Sequence, residues 1–87
     1  MSPFLFPRPS RMPKLSSVSY KRLLKVFEAD GFRCVREEGD HMVFTKPGVV
    51  WPLVIPKYSS VPVFIIKNNL RTAGMSGDRY FELLSQS

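Results

Sequence analysis

His41 is the only histidine in the chain and the one side chain suited to act as a base near neutral pH. An imidazole of ordinary pKa can accept a proton from an RNA 2′-hydroxyl, after which the 2′-oxygen attacks the adjacent phosphate. This cleavage needs no metal, but it needs donors for the phosphate oxygens. The candidates are Lys57, Lys46, Arg36 and the backbone N–H groups at Gly39. Taken alone, a single exposed histidine is more often an ordinary surface residue.

The other reactive residue types do not form a site by their spacing. One histidine, one cysteine and scattered carboxylates give no metal-ligand pattern, and five single glycines give no phosphate-binding loop. We therefore expect no metal and no cofactor. Cys34 could assist His41 in covalent catalysis only if both side chains shared one face of a sheet. A thiol in a strand more often packs in the core, and we expect this of Cys34.

Apolar residues at three- and four-residue spacing predict an amphipathic helix over residues 18–29. Ser16, Ser17 and Ser19 are candidate N-caps of this helix. Gly31 supplies the turn that ends it, because glycine tolerates a positive φ.

Three short segments separated by turn residues predict an antiparallel three-stranded meander. These segments are residues 32–37, 41–46 and 50–55. Alternation along the second segment directs Met42 and Phe44 toward the core, and His41 and Val43 outward. Pro52 has no N–H for a ladder, so the third strand should be an edge strand or carry a bulge.

Two further helices follow the sheet. Pro62 fits the first position of a helix over residues 62–73, which Gly74 ends, and Ser76 can cap a short helix over residues 77–85. The order of helix, three strands, helix and short C-terminal helix predicts an α+β fold with the topology of double-stranded-RNA-binding domains. Fold class alone does not give function.

Length and charge favour one domain with a polyanionic partner. We expect residues 15–87 of the 87 to form this domain, and residues 1–14, basic and rich in proline, to be a disordered extension. A net charge of +6 favours nucleic acid as the partner, although a basic protein without such a ligand is the alternative. One cysteine and apolar stretches too short to span a bilayer predict a cytoplasmic protein that does not bind membranes.

Three pieces of the chain carry a resemblance to a known family. They are "LLKVFEADGFRCVREEGDHMVF", "LVIPK" and "IKNNLRTAGMS", and the most specific feature is a Gly-x-His turn after an Asp-Gly-Phe helix end. With these pieces, the stretch from about residue 20 to residue 84 resembles the HicA toxins, also called the YcfA-like family.

The resemblance implies an endoribonuclease that cuts messenger RNA as the toxin of a toxin–antitoxin pair. It implies that His41 is the catalytic histidine and that a HicB-like antitoxin covers the active face. Relatives tend to carry further histidines where this chain has Met42 and, after the Val-Pro segment, Lys57 and Tyr58.

Two alternatives remain open. The first is a non-catalytic RNA-binding module in which basic side chains contact phosphates and Tyr58 or Trp51 packs on a base. The second concerns the apolar start of the second helix, which has more apolar side chains than one buried stripe needs: Val61, Val63, Phe64 and Ile65. Either a partner chain, which could be an antitoxin or a second copy, or the C-terminal helix covers these side chains.

Overall fold

The order of secondary-structure elements confirms the predicted α+β layout. The computed structural model describes residues 14–87, so the extension predicted over residues 1–14 lies outside the described residues except for Lys14. The elements are α1 (Tyr20–Ala29), β1 (Arg33–Glu38), β2 (His41–Thr45), β3 (Leu53–Pro56), α2 (Val63–Ala73) and α3 (Gly77–Ser85). No helix within these residues is long and apolar enough to cross a lipid bilayer.

The sheet has the strand order β1-β2-β3, and both pairings are antiparallel. At one end of the central strand, His41 pairs with Glu38 of β1 and with Pro56 of β3. A bulge at Val35 shifts the register of β1 and increases its local twist. His41 therefore begins the middle strand, beside the turn that joins β1 to β2.

The hydrophobic core lies between the helices and one face of the sheet. The largest fully buried side chains come from all three helices and from β2, β3 and the loop before α2; they are Tyr80, Phe27, Phe44, Leu23, Leu53, Ile55, Ile66, Val26 and Val61. Helix α1 and helix α3 pack mainly against each other, and α2 packs mainly against β3. Burial of apolar side chains from every layer is the main force that fixes α2 along β3.

The starts of α1 and α2 differ from the prediction. Helix α1 begins two residues later, because Ser19 is its N-cap and Val18 instead forms an antiparallel bridge with Val61. Helix α2 begins at Val63, because Pro62 has a ψ of 153° and is the N-cap rather than the first helical residue. The final helix has the predicted bounds.

Strand β3 is shorter than predicted and begins at Leu53. Pro52 lies just before it, where its missing N–H interrupts no ladder, and β3 is an edge strand as expected. Val50 and Trp51, predicted to be in this strand, are strongly exposed in the loop between β2 and β3.

The faces of the sheet agree with the prediction for Phe44, which is fully buried, and for Met42, which is half-buried against the core. Val43 lies on the same outward face as His41, as alternation predicted, but it is buried, because on the central strand it is flanked by Val54 and by its β1 partner Arg36. Cys34 was expected in the core and is exposed. It lies on edge strand β1, whose residues are all exposed, since the helices cover β3 instead.

The apolar residues near the start of α2 divide between the core and the surface. Val61 is fully buried and Ile65 packs against the core, but Phe64 is 66% exposed. Helix α3 packs on α1, and of the two alternatives left open for these side chains, cover by the C-terminal helix does not apply to the exposed Phe64.

Candidate active site around His41

A two-residue turn presents His41 at the start of β2. Gly39 occupies the first central position with a φ of 60°, and Asp40 follows with a negative φ, which is the pattern of a type II′ hairpin. A Cβ on Gly39 would meet no atom within 4 Å, so the backbone conformation alone requires glycine. The side chain of His41 is 47% exposed on the sheet face opposite the helices, as alternation predicted.

The carboxylate of Asp40 contacts the imidazole of His41. Asp40 Oδ1 lies 2.9 Å from His41 Nδ1, and the backbone N–H of Lys57 donates to the Asp40 carbonyl at 2.7 Å. In a neutral imidazole with its proton on Nδ1, beside this carboxylate, the lone pair of Nε2 can accept a proton. Asp40 was not among the residues predicted for the site, and its place immediately before His41 in a tight turn was the signal that could have found it.

Arg36 lies on the same sheet face as His41. It pairs with Val43, two residues along β2 from His41, and its guanidinium forms an ion pair with Glu38. Glu38 is in turn the direct cross-strand partner of His41. Of the three cations expected near His41, Arg36 is the one that lies on the same sheet face, on the neighbouring strand and two residue positions away.

Lys57 follows the strand partner of His41, but its ammonium group lies on the other side of the sheet. Nζ donates to Glu37 Oε1 at 3.0 Å, and Glu37 pairs with Met42, whose side chain faces the helices. This hydrogen bond raises the pKa of Lys57 above its ordinary value, and the nearby charge of Asp40 acts in the same direction. Lys57 therefore stays charged near His41 with its head group held by Glu37.

The structure does not bring Lys46 to His41. It follows the opposite end of β2, ~16 Å away along an extended chain. Its Nζ donates to Asp30 Oδ2 at 3.1 Å and lies 5.5 Å from the ring centroid of Phe32. Arg79 contacts the other oxygen of Asp30 at 3.4 Å. These contacts join the sheet to α1 and α3, which accounts for the position of Lys46.

The remaining reactive side chains do not join His41. Cys34 pairs with Phe44, and its Sγ lies 3.5 Å from the carbonyl oxygen of Arg36, so no Cys–His pair forms. Among residues 14–87, no group of three or more His, Cys, Asp or Glu side chains is placed to hold a metal ion.

An open groove of about 340 Å³ begins at His41 and runs between β3 and α2. Sequence reasoning missed the polar side chains of α2 that line it, Asn68, Asn69 and Thr72. Asn69 lies three residues after the buried Ile66, on the stripe that faces the core. An amide at a core position of an amphipathic helix was the signal that could have found it.

Comparison with known proteins identifies the family of the chain. The family model described as HicA toxin of bacterial toxin-antitoxin matches residues 20–75. This range extends from the start of α1 to just beyond α2, contains His41 and covers more than half of the chain. No curated protein and no solved structure gives a match. The chain belongs to the HicA family, the toxins of bacterial toxin–antitoxin systems.

Proposed function

We propose that this HicA-family toxin is an endoribonuclease that cleaves messenger RNA with His41 as the general base. The observation that carries the proposal is the contact of 2.9 Å between Asp40 Oδ1 and His41 Nδ1 on an exposed turn. It places a negative charge beside Nδ1 and leaves Nε2, the other ring nitrogen, as the atom that would accept the proton of the substrate.

The cleavage step uses the RNA's own 2′-hydroxyl as the nucleophile. Nε2 of His41 takes the hydroxyl proton, the 2′-oxygen forms a bond to phosphorus, and the bond from phosphorus to the 5′-oxygen breaks. A proton from water neutralises the leaving 5′-oxygen. The products are a 2′,3′-cyclic phosphate on one fragment and a 5′-hydroxyl on the other, and no metal takes part.

The phosphate oxygens need positive partners on the face of His41. The exposed backbone at Gly39 and the guanidinium of Arg36 lie on or beside this face, and we assign them this role. Lys57 contributes positive potential from behind the sheet, and it reaches a phosphate only if its ammonium leaves Glu37. Lys46 has no part in the proposed site, since Asp30 holds it at the far end of β2.

A HicB-like antitoxin is the partner we propose for this toxin. Family membership supports an antitoxin of some kind, and the uncovered Phe64 and Trp51 offer apolar surface for a protein contact. A gene for a HicB-like protein beside the gene for this chain, whose product restores growth on co-expression, is the expected finding. An adjacent gene product unable to restore growth would contradict it.

Induced expression of the parent chain and of His41→Ala tests the ribonuclease proposal. The parent should arrest growth and leave RNA fragments with cyclic phosphate ends, and His41→Ala should do neither at the same protein level. Because the ring is exposed, the substitution should change the free energy of unfolding by less than about 0.5 kcal/mol. Growth arrest and RNA cleavage by His41→Ala equal to those of the parent would refute the mechanism.

A further inference from the structure

The groove beside His41 has one wall from the sheet and one wall from a helix. Val54 and Pro56 of β3 and the preceding Pro52 form one wall, and Ile65 and residues of the following turns of α2 form the other. Its volume of about 340 Å³ falls in the lower part of the range of small-molecule sites, about 300–1,000 Å³. His41 stands at the end where β3 finishes, because it pairs with the last residue of that strand.

The groove offers neutral hydrogen-bonding groups and an aromatic ring. Tyr58, 42% exposed, lies at the same end as His41, and Asn68 and Thr72 line the helix wall. Asn69 donates to the carbonyl of Val54 at 3.3 Å and thereby fixes the helix to the strand edge. No lining residue is acidic. An unstacked nucleobase, flat and edged with neutral donors and acceptors, has the complementary chemistry.

Cations stand along the outer rim of the same helix. Lys67 and Arg71 are exposed one turn apart on α2, and neither forms an ion pair within the described part of the chain. Arg71 reaches back to Asn68 Oδ1 at 3.3 Å, which holds its guanidinium at the lip of the groove. A ligand that puts a base into the groove would place its phosphates within reach of this rim.

We propose that the groove between β3 and α2 binds an unpaired nucleotide of single-stranded RNA, adjacent to the phosphodiester bond that lies at His41. This inference rests on the proposed ribonuclease function. It adds that the RNA substrate is single-stranded, and not a duplex, at the site of cleavage. In a duplex the bases are stacked and their edges are paired, so none can enter a side groove. Tyr58 supplies a face on which any base can stack, and Asn68 supplies contacts to its edge.

Binding of an RNA that cannot be cleaved tests the proposal without relying on catalysis. The probe is a fluorescein-labelled 2′-O-methyl oligoribonucleotide of mixed sequence, used single-stranded and annealed to its complement, with anisotropy as the readout. The parent chain should bind the single strand more tightly than the duplex. Tyr58→Leu should weaken single-strand binding about tenfold, and Tyr58→Phe, which keeps the ring, should restore it.

Replacing one amide with a carboxylate, inside or outside the groove, distinguishes RNA binding by the groove from RNA binding by the net positive charge of the protein. Asn68→Asp should weaken binding about tenfold, because a carboxylate at the groove repels phosphate and removes an amide. Gln86→Glu is the matched control: it changes net charge equally at the exposed C-cap of α3, outside the groove, and should bind as the parent does.

The result that overturns the proposal is parental affinity in both Tyr58→Leu and Asn68→Asp, duplex bound as tightly as single strand, or no single-strand binding at all. These outcomes differ from failure of the ribonuclease proposal, which is decided by cleavage with His41→Ala. If the groove variants lose RNA binding while His41→Ala still cleaves RNA, nucleotide binding by the groove is supported and His41 is not the general base.

Discussion

The two ends of strand β2 carry similar pairs of charged residues in opposite settings. At the first end, His41 contacts Asp40, and both side chains are about half or more exposed. At the other end, Lys46 contacts Asp30, whose side chain is only 15% exposed and is also bonded to Arg79. One pair joins three elements of the fold, and the other extends from a turn into solvent.

This difference separates residues that hold the fold from residues that are free to react. Exposed ion pairs contribute about 0–1 kcal/mol, so stability gives little reason for the contact between Asp40 and His41. The contacts of Asp30 with Lys46 and Arg79 are partly desolvated. Their charge-assisted hydrogen bonds therefore contribute more to the free energy of unfolding than the exposed contact between Asp40 and His41 does. The contacts at the Lys46 end stabilise the fold, whereas the His41 end holds the residues of the proposed chemistry.

The largest expected effect on stability comes from Asp30→Asn. The substitution keeps the shape of the side chain but leaves Lys46 without a counter-charge and Arg79 with Glu82 alone, which should lower the free energy of unfolding by about 2 kcal/mol. Urea denaturation measures this loss. RNA cleavage should stay at the parental rate below the unfolding transition, and an unchanged urea midpoint would show that the Lys46 end does not hold the fold.

The same substitution at the other end, Asp40→Asn, should reverse the outcome. The imidazole of His41 loses its charged partner, so kcat should fall about tenfold while KM stays constant. The urea midpoint should match that of the parent, because the lost contact is exposed. A loss of stability equal to that of Asp30→Asn, with kcat unchanged, would erase the contrast between the two ends.

The turns beside the two ends allow a smaller, matched test. Gly39 and Gly48 have φ values of 60° and 88°, and at neither position would a Cβ meet an atom within 4 Å. Replacing either with alanine should cost about 1 kcal/mol of stability through backbone strain alone. Only Gly39→Ala should also slow cleavage, because its turn places Asp40 and His41. Equal cleavage rates in both variants would mean that the turn does not position the base.

Local patterns in the sequence predicted much of the fold. The bounds of α3 follow from apolar spacing and from Ser76, whose Oγ accepts from the backbone N–H of Arg79 as an N-cap does. The outward direction of His41 follows from strand alternation. Errors arose where a longer-range contact decided the outcome. Val18 pairs with Val61 across the chain instead of joining α1.

Turn and strand patterns pointed to His41, to Gly39 in the same turn and to Arg36 on the neighbouring strand, but not to the other parts of the candidate site. Which carboxylate each cation contacts depends on how distant elements pack, so the link from Lys46 to Asp30 across 16 residues had no local signal. The groove exists because α2 packs along the edge of β3, where Asn69 bonds to the carbonyl of Val54. Periodicity gives the buried stripe of a helix, but it does not give the strand against which that stripe lies.

The most direct test asks whether the two ends of β2 have different roles. It measures single-turnover cleavage of an end-labelled RNA by the purified parent, His41→Ala and Asp30→Asn. The account predicts that His41→Ala is slower by at least about 100-fold although it unfolds at the parental urea concentration. It predicts that Asp30→Asn cleaves at the parental rate although it unfolds at a lower urea concentration. Cleavage by His41→Ala at the parental rate would contradict the account.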